Sequence, residues 1–281
     1  MRPDPLVTVK WLAEHLNAPD IRILDATWFL PGDPRDALAL FNERRIPGAL
    51  FFDIEEISDK ETSLPHMLPS AEKFAARMRR MGVGDGLRIV LYDGHGVFSA
   101  PRVWWSFRAM GHEDVVVLDG GFPAWEHAGL AVESGPPTPR AERHFTAQVR
   151  HDLVRTLADV RRAVTDKNAT ILDARPAARF SGEAPEPRPG LRGGHMPGAL
   201  NIPANALLNA DGMFKSIEEL RPMFSHVMNE RRIICTCGSG ITAAIVALAL
   251  ARLGRWDAPI YDGSWAEWGA RDDTPIEETP S

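Results

Sequence analysis

The chain repeats itself once, end to end. Ile23-Leu24-Asp25-Ala26-Thr27 returns as Ile171-Leu172-Asp173-Ala174-Arg175, and Ile46-Pro47-Gly48-Ala49-Leu50 returns as Met196-Pro197-Gly198-Ala199-Leu200. Arg88-Ile89-Val90-Leu91-Tyr92-Asp93-Gly94 is matched by Arg232-Ile233-Ile234-Cys235-Thr236-Cys237-Gly238. Asp119-Gly120-Gly121, with Trp125 following, is matched by Asp262-Gly263-Ser264 and Trp268. The matched segments keep their order and lie 143 to 150 positions apart. A period that long is a duplicated domain and excludes a solenoid of short units. A chain of 281 residues has room for two such domains, each with its own core.

Glu133-Ser134-Gly135-Pro136-Pro137-Thr138-Pro139 separates the copies and has the composition of a stiff, exposed linker. By these marks the first domain covers 5–132, the linker 133–151 and the second domain 152–272. The tail, 273–281, is acidic and proline-containing and is expected to be loosely held.

Short β-branched runs alternate with helical patterns in both halves. Ile21–Ala26, Arg88–Tyr92 and Val115–Leu118 have strand character. Ser70–Met81 is predicted to be a helix stopped by Gly82; Pro101 and Gly111 bracket the next one. This alternation predicts an α/β fold in which each domain is a mostly parallel sheet with helices on both faces.

Composition narrows the partners. With 44% apolar and 25% charged residues the chain has the make-up of a soluble globular protein. A net charge of −6 without a basic stripe offers nothing to nucleic acid or an anionic membrane. The longest apolar run is too short to span a bilayer, and the N-terminal residues lack the apolar core of a secretory signal. Only Cys235 and Cys237 are present, which rules out a disulfide framework and suits a reducing compartment; a cytoplasmic protein is expected. The histidines are scattered without ligand spacing, so neither a metal nor another cofactor is expected.

Cys237 carries the chemistry. It ends the apolar run Ile233–Thr236 and opens the loop Cys237-Gly238-Ser239-Gly240-Ile241-Thr242, ahead of a helix pattern of small residues from Ala243. Strand, glycine loop and helix start form an anion cradle of backbone N–H groups. A thiol placed there is expected to react as its thiolate. In the first half Asp93 takes the same slot, and a carboxylate cannot carry sulfur. The first half is therefore expected to keep the fold without the chemistry.

Together, the tandem pattern, the paired Pro-Gly-Ala segments, the Asp-Gly-Gly/Ser turns with their following tryptophans and the Cys237–Thr242 loop resemble the two-domain rhodanese family over nearly the whole chain. The loop Cys-Gly-Ser-Gly-Ile-Thr resembles the 3-mercaptopyruvate sulfurtransferase type in particular; thiosulfate sulfurtransferases tend to place Arg and Lys where this chain has Gly238 and Ser239. The dianion thiosulfate gains from cations at those positions, and here both are neutral. The resemblance implies that Arg179 and Arg188 hold the substrate carboxylate and carbonyl, a task suited to the planar guanidinium fork. It further implies a Cys237 persulfide formed as pyruvate leaves, with Gly238, Gly240, Ile241 and Thr242 forming the cradle and Ser239 assisting proton movement. A thiol, cyanide or a reduced thioredoxin-like protein then accepts the sulfur. One departure stands out: family members often carry a histidine before Ile46-Pro47-Gly48-Ala49, and this chain has Arg45, which cannot act as a base. Asp33 and Asp36 are the acidic residues upstream that a relay there would use.

Bland alternatives exist for several of these residues. Cys235, inside an apolar strand, suits a packed core thiol. His195 suits a histidine hydrogen-bonded within its turn, and Asp25 and Asp173 suit strand-end residues that bind backbone or Arg175. Three rival functions are open to the same sequence. A cysteine phosphatase would need a loop cation, yet Ala243 stands six positions after Cys237. A thiosulfate sulfurtransferase and a sulfur carrier without turnover also fit an intact cysteine loop.

Overall fold

The computed structural model describes residues 2–278. Each half forms a five-stranded sheet in which all paired strands run parallel. In the first, β1 (Leu6–Val7), β2 (Ile21–Asp25), β3 (Leu50–Phe51), β4 (Arg88–Tyr92) and β5 (Val115–Leu118) lie in the order β1-β5-β4-β2-β3. In the second, β6 (Val154–Arg155), β7 (Thr170–Asp173), β8 (Leu200–Asn201), β9 (Ile233–Thr236) and β10 (Ile260–Tyr261) lie in the order β6-β10-β9-β7-β8. The two orders are the same, as the duplication requires.

Parallel neighbours need crossovers, and helices supply them on both faces. Alternation along a strand then divides each sheet's residues between two cores. Val90 and Tyr92 of β4 face an outer core with Leu12, Phe41 and Trp125, whereas Ile89 and Leu91 face inward. In the second domain Ile234 faces outward with Trp265 and Trp268, and Ile233 and Cys235 face inward. The inward faces share one apolar core. The helices Ala100–Ala109 and Ala243–Arg252 pack on one another there, and Ala243 to Ala251 are all buried. A helix apolar all round suits that central position.

Local signals set the helix ends. Ser70 caps Ala71–Arg80 through Lys73 N–H, and Gly82 beyond it has φ +67°. Thr156 and Ser216 each form a reciprocal capping box, with Asp159 and Glu219.

Two expectations need correction. The linker is not simply an exposed spacer: Phe145 is buried among Phe74, Phe107 and His112, and Gln148 and Arg150 donate backbone N–H groups to Met110 and Ala109. One aromatic anchor and free backbone donors suffice to lay the segment onto the first domain. The tail is likewise held as far as Glu278. Thr274 is buried, Trp268 Nε1–H donates to Pro275 O, and Glu277 exchanges backbone hydrogen bonds with His195. Its remaining residues, 279–281, lie outside the described ones.

Candidate active site

Cys237 follows β9, the central strand of the second sheet, and is 2% exposed. Gly240 bends the loop back with φ +78°, a conformation that favours glycine, and its N–H donates to Cys237 Sγ at 3.1 Å. The loop's far side is pinned: Trp265 and Ala266 N–H groups donate to the carbonyls of Cys237 and Gly238 at 2.9 and 2.8 Å, and Cys237 N–H reaches Ser264 Oγ at 3.3 Å. The helix beginning at Ala243 has no side-chain cap; the Ala244 and Ile245 N–H groups turn back to the carbonyls of Ile241 and Thr242, and the helix dipole gives this end of the loop positive polarity.

A cavity of about 290 Å³ opens in front of the sulfur. Cys237, Gly238, Ser239, Ile241 and Thr242 line it, together with Arg179 and Arg188. Its opposite wall belongs to the first domain: Trp28, Leu30 and Phe98. Of the eight residues singled out from the sequence, only Gly240 does not face the cavity. It lies behind the loop, where an added Cβ would stand 2.7 Å from Arg102 Nη1. Its contribution is the N–H on the sulfur.

The two arginines are held differently. Arg179 ends the first half of the segment that follows β7, and its guanidinium lies against the loop; a Cβ on Gly238 would be 3.0 Å from its Nη2. Glu186, buried, pairs with both Arg179 and Arg175. Arg175 in turn forks onto Asp173, donates to Gly194 O and stacks 4.1 Å over Trp265. Asp173 thus serves as the strand-end anchor for Arg175. Arg188 instead meets the first domain, with Nη2 3.3 Å from His66 Nε2. Burial pulls its pKa down, and the neighbouring Cys237 charge opposes that pull.

His66 was not anticipated. It is buried, with Nδ1 3.2 Å from Glu55 Oε1, and Glu55 also accepts Trp28 Nε1–H at 2.8 Å. The hydrogen bond to His66 holds the Glu55 carboxyl down at about 2, while burial pushes His66 below the ordinary histidine range. The histidine behind the cleft is therefore His66, not a residue at position 45. Arg45 is fully buried elsewhere, on Glu133 and the carbonyls of Phe41 and Gly135. Neither acidic candidate upstream reaches the site: Asp33 pairs with Arg35, and Asp36 caps the helix Ala37–Glu43. The duplication held the missed signal. His66 has no counterpart in the second half, where the matching loop reads Asn209-Ala210-Asp211-Gly212.

His195 also departs from expectation. Its Nδ1 bonds Phe180 O at 2.9 Å and its ring stacks on Phe180, so it ties two segments together and not merely its own turn. In the first domain, Asp93 turns its carboxylate into its own loop and accepts N–H groups from His95, Phe98, Ser99 and Ala100.

This arrangement offers a sulfur nucleophile, a backbone donor on that sulfur and two guanidinium groups on one cavity. It suits a small substrate that carries a carboxylate.

Comparison with known proteins agrees on the architecture. A family model described as "Rhodanese-like domain" matches residues 8–128 and again 156–271. The chain is 46% identical over 274 residues to the 3-mercaptopyruvate sulfurtransferase of Escherichia coli K12, covering 96% of this chain and 97% of that one. It is 44% identical over 274 residues to the human 3-mercaptopyruvate sulfurtransferase, covering 95% and 92%. The crystal structure of SseA from Escherichia coli, described as showing the rhodanese fold and catalytic mechanism of 3-mercaptopyruvate sulfurtransferases, superposes with a TM-score of 0.85 at 42% identity, covering 94% of this chain and all of that one.

Proposed function

Since this chain belongs to the rhodanese family, we propose that its second domain moves sulfur from 3-mercaptopyruvate to a thiophilic acceptor through Cys237. The protein is a 3-mercaptopyruvate sulfurtransferase in this reading. The observation that carries it is Cys237 Sγ at the head of a cavity lined also by Arg179 and Arg188.

Arg179 and Arg188 hold the substrate carboxylate and keto oxygen, which brings the substrate sulfur to Cys237. The Cys237 thiolate attacks that sulfur. A new S–S bond forms, the C–S bond breaks, and its electron pair stays on carbon as the enolate of pyruvate. Protonation of that carbon releases pyruvate and leaves a Cys237 persulfide. Ser239, on the cavity wall, is the group available to move that proton. The Gly240 N–H and the positive end of the following helix favour the negative outer sulfur. In the second half-reaction an acceptor thiolate or cyanide attacks the outer sulfur and restores the Cys237 thiolate. A reduced thioredoxin-like protein suits the acceptor role by its chemistry.

Mercaptopyruvate is favoured over thiosulfate because Gly238 and Ser239 put no cation beside the sulfur. No helix among the described residues is long and apolar enough to cross a membrane. Two free, buried cysteines suit a reducing compartment, the cytoplasm in this reading.

Mass spectrometry of the intact protein after brief exposure to mercaptopyruvate tests the proposal. A gain of one sulfur atom with equimolar pyruvate, absent in Cys237→Ser, is expected. Turnover of an aryl phosphate lost in Cys237→Ser, or equal kcat/KM for thiosulfate and mercaptopyruvate, would overturn it.

A further inference from the structure

One contact across the seam between the domains is used twice, and on one side an arginine is added to it. Leu68 N–H donates to Asp262 Oδ2 at 2.7 Å, and Phe214 N–H donates to Asp119 Oδ1 at 2.8 Å. Both partners are related by the duplication, since Asp119 and Asp262 occupy the same turn in their domains. The two helices packed across the seam also correspond, starting at Ala100 and Ala243. That register sets Arg102 opposite Ile245, and here the symmetry fails.

Arg102 is 2% exposed and crosses from the first domain into the second. Its Nη1 lies 2.7 Å from Asp262 Oδ1 and donates to Gly240 O at 3.3 Å. Its Nη2 donates to His66 O at 2.5 Å, and the guanidinium lies 4.4 Å over the Trp105 ring. On the other side of the seam Asp119 has no ion pair among the described residues, and Ile245 lines the cavity instead. A buried ion pair is weak evidence for stability, because desolvation offsets its attraction. The sister contact has no ion pair of its own, and the pair on that side of the seam, Arg252 with Asp4, is partly exposed and lies away from the cysteine loop.

What distinguishes its side of the seam is the cysteine loop. Arg102 grips the carbonyl of Gly240, the residue whose N–H reaches Cys237 Sγ. The same guanidinium holds the backbone of His66, whose ring meets Arg188. We propose that Arg102 is a positioning residue for sulfur transfer: from the first domain it fixes Gly240 against the sulfur and braces His66 behind Arg188. This rests on the reading of Cys237 as the nucleophile.

Steady-state kinetics with mercaptopyruvate, melting curves and the rate of Cys237 alkylation at pH 7 test this in the full chain. Arg102→Met and Arg102→Lys are compared with Asp119→Asn, the sister contact, and with Cys237→Ser. Arg102→Met is expected to lower kcat about ten- to hundredfold with KM changed less than about threefold, since small misplacements at a reacting centre are costly. Arg102→Lys keeps the charge beside Asp262 without the fork that spans Gly240 and His66. It is expected to melt with the wild type, yet to lose kcat and alkylate more slowly. Asp119→Asn is expected to leave both rates unchanged. Wild-type kcat and alkylation in Arg102→Lys would overturn the proposal, and so would equal losses in Asp119→Asn. Should Arg102→Met fail to fold, the lysine variant decides. Transfer surviving in Cys237→Ser would instead sink the nucleophile assignment itself.

Discussion

Asp93 and Cys237 stand at the same point of their domains, each one residue past the central strand and at the head of the loop that feeds the next helix. In one copy a carboxylate fills the cradle: Asp93 Oδ2 accepts the N–H groups of Phe98, Ser99 and Ala100 at 2.8 to 2.9 Å. In the other, the cradle holds sulfur and opens onto a cavity. One backbone arrangement thus provides a self-satisfied structural turn and a candidate reactive centre, according to the side chain at its head.

Asp93→Asn should therefore cost stability and leave sulfur transfer intact. Replacing a charged acceptor of several N–H groups by a neutral one is expected to cost about 2 kcal/mol. Denaturant melts and mercaptopyruvate turnover on the same sample check both halves of the statement. A fall in kcat at full folding would contradict it.

The two cysteines should differ sharply toward alkylating agents. Cys235 is completely buried in β9, and burial holds its thiol well above the ordinary range. Cys237 lines the cavity. Peptide mapping after brief iodoacetamide treatment of the native protein should find label on Cys237 alone. Prior loading with mercaptopyruvate should move the label to the persulfide.

Arg179→Ala and Arg188→Ala should each lower kcat/KM for mercaptopyruvate by about ten- to hundredfold, the loss expected for one charge-assisted hydrogen bond of roughly 1.5–3 kcal/mol. Cys237 should remain alkylatable in both. Glu186→Gln should mimic Arg179→Ala in part, because Glu186 pairs Arg179 with the anchored Arg175. Unchanged kinetics in all three would place the carboxylate elsewhere.

Asp25 gives a pH dependence of folding. Burial pushes its carboxyl up to about 6, against hydrogen bonds from Thr27 that favour the charged form. The folded protein keeps this proton over a range in which the unfolded chain has lost it. The resulting stability is fully present below about pH 4 and disappears as pH rises through 6, an effect of at most about 3 kcal/mol. Asp25→Asn should flatten the wild-type change in melting temperature between pH 4 and pH 6. An unaltered profile would show that Asp25 is not its source.

The sequence by itself determined the duplication, the parallel α/β architecture and the placing of Cys237 where a strand passes into a helix. These follow from neighbours in the chain: the apolar run of β9, the glycines at 238 and 240, and the helix pattern from Ala243 are all read within a dozen residues. Arg179 and Arg188 came from the family pattern, and no local rule showed that Glu186 would hold one and His66 meet the other. Only the tertiary structure decided the first domain's share of the site. Trp28 and His66 sit in unremarkable loops, Glu55 and Arg102 in two separate helices, and Arg188 meets His66 across 122 positions. Such contacts exist only once two separately patterned cores have closed on a common face, and the order of residues along either half carries no periodic trace of that docking.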